Sequence, residues 1–313
     1  MSDKKVLVVA GPTASGKTSL GISLALALDG EIVSADSMQV YRRMDIGTAK
    51  ATPAERARVP HHMLDVADPA EEYSVSRYVE EAARCCEELI SRGKVPVVVG
   101  GTGLYIDSLL SGRSFGPRAE DPSLRASLNE KYDTLGGEAL LEELHSFDPE
   151  RAALLHSADK KRIVRAIEVY LLTGETITAH DAATRSLPPR YEPLFLIPGF
   201  HDRALLYQRI DSRVDDMVRQ GLFDEVRSLL ASGVPPTATS MQAIGYKETA
   251  ACLQGEFSAE EAIARIKQAS RRYAKRQLTW FNRRADACRL FHDDPSVPSL
   301  PEAALSLAKE FLS

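Results

Sequence analysis

The 313-residue chain is long enough for one large domain or two modest ones, and its 44% hydrophobic and 27% charged residues are typical of a soluble globular protein. No apolar run is long enough for a membrane span, no secretory signal opens the chain, and the four cysteines lack metal or disulfide spacing, so a cytoplasmic protein is expected. The net charge of −5 argues against a uniformly basic surface for nucleic acid, although binding depends on where the charges lie.

The chain begins with a predicted strand, a glycine-rich loop and a helix. The apolar run at residues 5–11 predicts a buried strand, and Leu20, Leu24 and Leu28 have the spacing of one helix face over residues 17–28. Between them, GPTASGKT matches the phosphate-loop template G-x-x-x-x-G-K-[ST] at every fixed position. A strand before the loop and a helix after it are the context in which this template binds phosphate.

Strands and helices continue to alternate after the loop. Further buried strands are predicted at residues 30–36 and 95–103, with a helix at residues 74–93 that Ser74 or Ser76 would cap. Alternation of this kind predicts an α/β fold, in which a parallel P-loop sheet is covered by helices on both faces.

Residues 118–193 show a different pattern, with helical periodicity in several segments and no strand signal. We predict an all-helical insertion domain over this range. Strand character resumes at residues 194–200, so residues 1–117 and 194–313 would together form the P-loop core.

The C-terminal third is predicted to be mostly helical. Residues 203–233 form one long helix or two, and Ser258 begins another helix with Glu261 as its capping-box partner. The segment ACRLFHDD is a candidate for a last edge strand.

The residues of the phosphate loop have distinct tasks. Backbone N–H groups and the positive end of the following helix face the anion, and the glycines let the backbone approach it closely. Lys17 supplies a cation, and the Thr18 hydroxyl typically ligates Mg²⁺. The predicted phosphate-binding residues are Gly11, Pro12, Thr13, Ala14, Ser15, Gly16, Lys17 and Thr18. The template itself leaves open whether the anion belongs to ATP or to another phosphate.

An acidic residue is expected close to this loop. Nucleotide-hydrolysing enzymes usually carry one at the end of another core strand, where it holds Mg²⁺ and water. The strand at 95–103 contains GGTG instead, whereas Asp36 ends the strand at 30–36. A carboxylate there lies at the carboxyl edge of the sheet, where ligands of α/β proteins bind, and Thr102 would face the same edge. On spacing alone, an aspartate that caps a helix or a turn is the alternative interpretation.

Residues 265–284 contain eight Lys or Arg and no Asp or Glu. A solvated helix face is the ordinary interpretation of such a charge run. However, the segment has no acids of its own for i,i+4 pairs, and Tyr273, Trp280 and Phe281 are interleaved with the charges. Basic residues mixed with aromatic ones favour binding of nucleic acid.

Seven motifs occur in order along nearly the whole chain. They are GPTASGKT, SADSMQVYRRMDIGTAK, PHHMLD, VVVGGTGLYI, RIDSRVDDMVRQGL, AIGYKE and AKRQLTWF. Together they resemble the bacterial tRNA dimethylallyltransferases, also called tRNA isopentenyltransferases. No C-x-x-C…H zinc extension of the kind found on eukaryotic relatives is seen in the sequence, which favours the bacterial type.

The resemblance implies transfer of a dimethylallyl group from dimethylallyl diphosphate to the exocyclic amine of adenosine 37, directly 3′ of the anticodon in tRNAs that read UNN codons. The phosphate loop would hold the diphosphate, with Lys17, Thr18 and Mg²⁺ neutralising its charge. Asp36 would hydrogen-bond the attacking amine and take its proton. Thr102 would contact the tRNA or the donor, and Arg213 would reach back to the diphosphate.

The resemblance also implies an interface with the tRNA anticodon stem-loop, with segment 265–284 on one side and the helical insertion on the other. The implied tRNA-binding residues are Asp36, Ser37, Met38, Gln39, Thr102, Arg125, Lys160, Lys161, Arg162, Ile163, Val164, Arg272, Lys275, Arg276, Gln277 and Trp280. For each insertion residue, an ordinary surface or core role is the alternative. One tRNA per chain would suffice, so a monomer without membrane contact is expected.

Three other functions compete with this interpretation. A P-loop small-molecule kinase would consume ATP, but the acid on the third strand and a recognisable arginine-rich lid are missing from the sequence. An adenylate isopentenyltransferase would use the same donor and a free nucleotide, whereas the basic segment favours a macromolecular acceptor. A non-catalytic RNA-binding protein would have no need of an intact Lys17 and Thr18.

Overall fold

The computed structural model describes residues 4–112, 121–185, 187–297 and 299–313. The chain divides into two compact units, one formed by residues 1–110 and 190–313 and the other by residues 111–189. The boundary expected between residues 117 and 118 lies outside the described residues. In the described part of the chain, no helix combines the length and the apolar character that crossing a membrane requires.

The first unit is built on a six-stranded sheet, counted over the described residues. Its strands are β1 (Lys5–Ala10), β2 (Gly30–Ser34), β3 (His61–His62), β4 (Val95–Gly100), β5 (Glu192–Gly199) and β6 (Cys288–Phe291). Their spatial order is β3-β2-β4-β1-β5-β6, and every neighbouring pair is parallel. The predicted α/β fold with a parallel sheet is confirmed, as is the edge strand in ACRLFHDD.

The helices are numbered in chain order. They are α1 (Lys17–Ala27), α2 (Pro53–Arg58), α3 (Val75–Ser91), α4 (Gly103–Ser111), α5 (Pro122–Leu135), α6 (Gly137–Phe147), α7 (Pro149–Ala153), α8 (Lys160–Thr173), α9 (Ile177–Arg185), α10 (Arg203–Arg219), α11 (Leu222–Ala231), α12 (Tyr246–Leu253), α13 (Ala259–Phe281) and α14 (Leu300–Leu312). One 3₁₀ turn (Ser240–Gln242) precedes α12.

Both faces of the sheet are buried. Leu7 and Val9 of β1 pack with α1 and α14 in one apolar cluster. Val6 and Val8, which alternate with them and point to the other face, are equally inaccessible to solvent. Helix α3 contacts β2 and β4. Apolar residues at successive strand positions are therefore explained by helices on both sides, as the sequence predicted.

Helix boundaries follow local capping signals. The predicted helix over residues 203–233 is two helices, because Gly221 adopts a φ of 102° between α10 and α11. At the start of α13, the Ser258 hydroxyl accepts a hydrogen bond from the Glu261 N–H group at 3.2 Å. The Glu261 carboxylate bonds to Arg265 at 2.7 Å instead of returning to the cap, so only half of the predicted capping box forms.

The regular elements in the described residues of the second unit are helices, and the unit contains the helices α5, α6, α7, α8 and α9. Its core consists of Leu128, Leu140, Leu144, Ala152, Ile163, Val164, Ala166 and Ile167. Glu168 is fully buried beside this core, and the Arg125 guanidinium binds its two oxygens at 2.9 and 3.1 Å. A buried carboxylate needs such a partner. Because Arg125 lies on α5 and Glu168 on α8, this ion pair links these two helices.

Candidate active site

The phosphate loop joins the end of β1 to the start of α1. Gly11 has a φ of 141° and Gly16 a φ of 87°, conformations that other residues rarely adopt. A β-carbon on Gly16 would also lie 3.1 Å from the Nε2 atom of His292, which hydrogen-bonds the Ser15 carbonyl oxygen at 2.9 Å. These features produce a backbone cradle at the positive end of α1, the arrangement that binds phosphate.

Three cations surround the loop. Lys17 donates from Nζ to the Pro12 carbonyl oxygen at 2.6 Å, and burial together with the nearby Arg213 lowers the pKa of Lys17 to about 7. Arg213 reaches the Thr13 hydroxyl from α10 at 3.5 Å. Arg209, one turn earlier on α10, donates to the Ala14 carbonyl oxygen at 3.1 Å. Sequence reasoning missed Arg209, although its i,i+4 spacing to Arg213 was a usable signal.

Asp36 follows β2 and lies in a hydrogen-bonded turn. Its Oδ1 atom accepts from the N–H groups of Met38 at 2.9 Å and Gln39 at 3.4 Å. Burial raises the pKa of the Asp36 carboxyl, and these N–H groups and the Lys17 charge oppose that rise only in part. Asp36 therefore forms a turn, as the alternative interpretation held, and its role as a base stays a prediction.

Thr102 lies beside the Asp36 turn because β2 and β4 are neighbours in the sheet. Its N–H group donates to the Ala35 carbonyl oxygen at 3.1 Å, and its hydroxyl accepts from the Ser37 N–H group at 3.0 Å. The structure thus gives Thr102 the task of supporting the turn. Its contact with donor or tRNA stays a prediction.

Lys17, Arg213 and Asp36 border one cavity of about 300 Å³ in the first unit, whereas Thr102 and Arg209 do not line it. Thr13, Lys17, Thr18 and Arg213 line a cationic part of its wall, and residues 36–39 line another part. An apolar part of the wall is formed by Ile210, Val214, Met217, Ala243, Ile244 and Ile266. The cavity is therefore suited to a small apolar group that is joined to a polyanion and lies near a base.

The side chain of Gln277, a predicted tRNA contact, hydrogen-bonds the phosphate loop. Its Oε1 atom accepts from the Thr13 N–H group at 2.9 Å, and its Nε2 atom donates to the Gly101 carbonyl oxygen at 2.9 Å. The side chain is only 5% exposed. Gln277 thus ties α13 to the phosphate loop and to the loop that carries Thr102.

Replacing Gln277 by glutamate should weaken binding of inorganic diphosphate by about 5–150-fold, the range that corresponds to about 1–3 kcal/mol for an unpaired buried polar group. A carboxylate cannot donate to the Gly101 carbonyl oxygen, and it places negative charge beside the anion. Calorimetric titration measures the affinity, with Gln268→Glu, an exposed position on the same helix, as the control. Equal affinity in the two variants would contradict the role given to Gln277.

Gln39 and its neighbours in the predicted target pocket have mixed roles. Ser37 and Met38 line the cavity. Gln39 also borders the cavity, but its Nε2 atom donates to the Thr48 carbonyl oxygen at 3.1 Å and its Oε1 atom accepts from the Ser34 hydroxyl at 3.2 Å. Gln39 therefore holds the cavity wall in shape in addition to any contact with RNA.

Half of the basic charges in segment 265–284 are paired, although the segment itself contains no acids. The ion pairs are Arg265–Glu261, Lys267–Asp215, Arg271–Asp211 and Arg284–Asp107. Most of these acids come from α10 and α4. The basic side chains of the segment that form no ion pair with any described residue are Arg272, Lys275, Arg276 and Arg283. The free positive charge is thus concentrated on fewer residues than the sequence indicated.

Trp280 is held against α4 and is not fully available for stacking. Its Nε1 atom donates to Asp107 at 2.8 Å, and a β-carbon on Gly103 would lie 2.3 Å from that nitrogen. The side chain still has 39% of its surface exposed. Its RNA contact stays a prediction.

The implied contacts on the insertion need a correction. The side chains of Ile163 and Val164 are buried in the helical core, so these side chains cannot reach RNA. Arg125 is bound to the buried Glu168. Lys160 pairs with Asp133 at 2.6 Å. The remaining candidates in this run are Lys161 and Arg162, both exposed.

The fold and the phosphate loop define a P-loop α/β protein, and its cavity has a cationic and an apolar part. The IPP transferase family profile matches residues 39–284, and the isopentenyl transferase profile matches residues 4–67. The chain belongs to the IPP transferase family. The resemblance drawn from the motifs is therefore confirmed.

Relatives and solved structures agree with this assignment. The chain is 47% identical over 283 residues to the tRNA dimethylallyltransferase of Carboxydothermus hydrogenoformans, with 90% of each chain covered. It is similar to the crystal structure of the tRNA isopentenylpyrophosphate transferase of Bacillus halodurans, with 38% identity, a TM-score of 0.73 and coverage of 99% of this chain and 97% of that chain. A eukaryotic dimethylallyltransferase acting on tRNA is 31% identical with a TM-score of 0.86, covering 99% of this chain and 80% of that one.

Proposed function

We propose that the protein transfers the dimethylallyl group of dimethylallyl diphosphate to the exocyclic amine of adenosine 37 in tRNAs that read UNN codons. The names of its relatives support this activity. The observation that carries the proposal is the shared cavity, because the phosphate loop, Asp36 and an apolar wall all border the same 300 Å³ space. The products are isopentenyladenosine and diphosphate.

The cationic part of the cavity holds the leaving group. The amine nitrogen attacks the allylic carbon, the carbon–oxygen bond breaks, and its electron pair leaves with the diphosphate. Lys17, Arg213 and the N–H groups of the loop meet the charge that develops on that oxygen. Donors fixed in advance toward developing charge are usually the largest catalytic contribution of a site.

Asp36 acts as the general base. An adenine amine is a poor nucleophile because its lone pair is delocalised into the ring. As the nitrogen–carbon bond forms, the amine becomes acidic and its proton passes to the Asp36 carboxylate. A carboxyl whose pKa is raised by burial suits this task better than an exposed aspartate does.

Mg²⁺ fits the chemistry of the site. It prefers oxygen ligands and is often held by one protein group together with substrate phosphates. Thr18 lines the cavity beside Lys17, and its hydroxyl is the group that we propose to hold the ion. When bound, Mg²⁺ supplies further neutralisation of the diphosphate. Among the described residues, no cluster of three His, Cys, Asp or Glu could bind a metal ion alone, which suits an ion that arrives with the diphosphate.

The acceptor is a tRNA anticodon stem-loop. The target adenine must leave its stack to reach a buried base, so we propose that it is flipped into the cavity. Arg272 and Lys275 on α13 contact the phosphate backbone, and Lys161 and Arg162 are the candidates on the insertion. One tRNA binds one monomer. The protein has no partner in a membrane.

Incubation with Mg²⁺, labelled dimethylallyl diphosphate and undermodified tRNA tests the proposal. Label should enter tRNA and depend on the adenosine next to the anticodon. Parallel reactions with AMP and with ATP test the two rival enzymes. Label in AMP alone would select an adenylate isopentenyltransferase, phosphate transfer from ATP would select a kinase, and label in neither acceptor would overturn the proposal.

Binding of tRNA should weaken steeply with salt, and the double variant Arg272→Gln, Lys275→Gln should reduce the slope of log K against log salt by about two, one for each lost phosphate contact. Both residues are exposed and free of ion pairs with described residues. The control is Arg219→Gln, Arg227→Gln, since each of these arginines pairs with an aspartate on its own helix. An equal slope in wild type and double variant would remove this face from the interface.

A further inference from the structure

One wall of the cavity is an irregular segment rather than a helix or strand. Residues 35–52 connect β2 to α2 and contain Asp36 near their start. Gly47, Thr48 and Ala49, near the other end of the segment, also line the cavity. The catalytic role proposed for Asp36 therefore depends on what fixes this segment.

The carboxylate of one residue, Glu225, accepts hydrogen bonds from three backbone N–H groups of the segment. From α11, the Oε2 atom of Glu225 accepts from the N–H groups of Asp45 at 2.9 Å and Ile46 at 2.8 Å, and its Oε1 atom accepts from Gly47 at 3.2 Å. Three successive N–H groups that point at one anion form a strong and directional site. Glu225 itself does not line the cavity.

Tyr246 completes this contact from α12. Its hydroxyl donates to Oε1 of Glu225, and burial raises the pKa of that hydroxyl, which therefore stays a donor. The Tyr246 ring lies so close to Gly47 that a β-carbon there would be 2.4 Å from it. At Gly47 the segment therefore packs so closely against α11 and α12 that no side chain fits there.

Hydrogen bonds connect the end of the segment that Glu225 binds to the end that contains Asp36. Gln39 donates from Nε2 to the carbonyl oxygens of Thr48 at 3.1 Å and Ala49 at 3.4 Å. The N–H group of Gln39 in turn donates to Asp36. Lys50, whose side chain is 1% exposed, adds an internal tie by contacting Asp45 at 2.6 Å and the Tyr41 carbonyl oxygen at 2.8 Å.

We infer that Glu225 is a positioning residue for group transfer: it latches residues 45–47 to α11 and, through Gln39, keeps the Asp36 carboxylate directed at the acceptor amine. The inference rests on the proposed function. It assigns Glu225 no contact with either substrate, so its effect should fall on turnover rather than on diphosphate binding.

Glu225→Gln tests the latch with little change of volume. A glutamine has one carbonyl oxygen where the carboxylate has two acceptors, and its NH₂ group opposes some of the three N–H groups. We expect kcat to fall by about ten- to a hundredfold, since small misplacements of reacting groups have effects of this size. The dissociation constant of inorganic diphosphate should stay within about twofold, because Glu225 hydrogen-bonds residues 45–47 and Tyr246 and does not line the cavity. Asp224→Asn, the exposed neighbour that pairs with Arg227 on its own helix, is the control.

Hydrogen exchange separates this inference from the proposed function, because it needs no turnover. In Glu225→Gln, the amides of residues 45–47 and also those of Met38 and Gln39 should exchange faster than in wild type. Faster exchange limited to residues 45–47, or an unchanged kcat below the melting temperature, would overturn the inference and leave Glu225 a purely structural residue. Glu225→Gln keeps the side-chain size, and its thermal unfolding compared with wild type shows that the variant is folded under the assay conditions.

Discussion

Replacing Asp36 by asparagine should lower the rate of prenyl transfer by about 10²–10⁴-fold, the range that a positioned general base contributes. Asparagine keeps the size and can still accept from the Met38 N–H group, so the turn should persist. It cannot take the proton that the acceptor amine releases. Single-turnover transfer of labelled donor to tRNA measures the loss, while tRNA affinity should remain within a few-fold of wild type.

The pH dependence of the wild-type enzyme provides a second test of Asp36. The base works in its ionised form, so activity is lost as the pH falls through the pKa of this carboxyl. Because burial raises that pKa, the acid limb of kcat/KM should lie above about pH 4, the ordinary range of an aspartate. Asp29→Asn, an exposed aspartate at the far end of the sheet, is the control. A near-normal rate in Asp36→Asn would reduce Asp36 to a turn former.

Replacing Lys17 by methionine should lower kcat by about 10²–10³-fold, the loss measured when one preorganised donor to a developing oxyanion is removed. Methionine retains most of the apolar stem and removes the charge. Transfer assays at saturating donor measure the change. Lys94→Met is the matched control, since Lys94 precedes β4 at the edge of the sheet opposite the phosphate loop. Similar rates in the two variants would show that Lys17 is dispensable.

The lowered pKa of Lys17, about 7, predicts a pH dependence for binding of the anion. A bound diphosphate stabilises the ammonium form and raises this pKa. Below pH 7 the empty site already carries the proton, whereas above pH 7 binding must take one up and affinity falls by up to about tenfold per pH unit. Calorimetry at pH 8 in buffers of different ionisation enthalpy should show this uptake in wild type. If Lys17→Met still took up a proton on binding the anion, another group would be the one that is protonated.

The sheet and several helices could be predicted from the sequence because the signals for them lie close together in the chain. A phosphate loop between a strand and a helix, apolar strands and capped helices depend on residues close together in the chain, and the sheet, α1 and α3 followed these signals. Asp36 could be placed at the sheet edge for the same reason. Short elements such as β3, with two residues, have too little periodicity to be detected.

Contacts between distant residues could not be predicted in this way. Gln277 meets Thr13 across 264 positions, and Glu225 meets Gly47 across 178. The free positive charge of segment 265–284 was overestimated because most of the acids that pair with it lie on α10 and α4. A usable signal did exist: Asp211 and Asp215 have the same four-residue spacing as Lys267 and Arg271, and two helices so spaced can pair their charges in register.

Helix α13 supports both substrates in the proposed reaction. Its buried Gln277 holds the phosphate loop, while its exposed Arg272 and Lys275 are the proposed contacts for tRNA. Two ligands that bias the same rigid element are linked thermodynamically. Whatever factor a bound tRNA applies to the dissociation constant of the donor, the donor must apply to that of the tRNA. Donor affinity measured with and without tRNA therefore reports how strongly this helix couples loading of the prenyl group to capture of its acceptor.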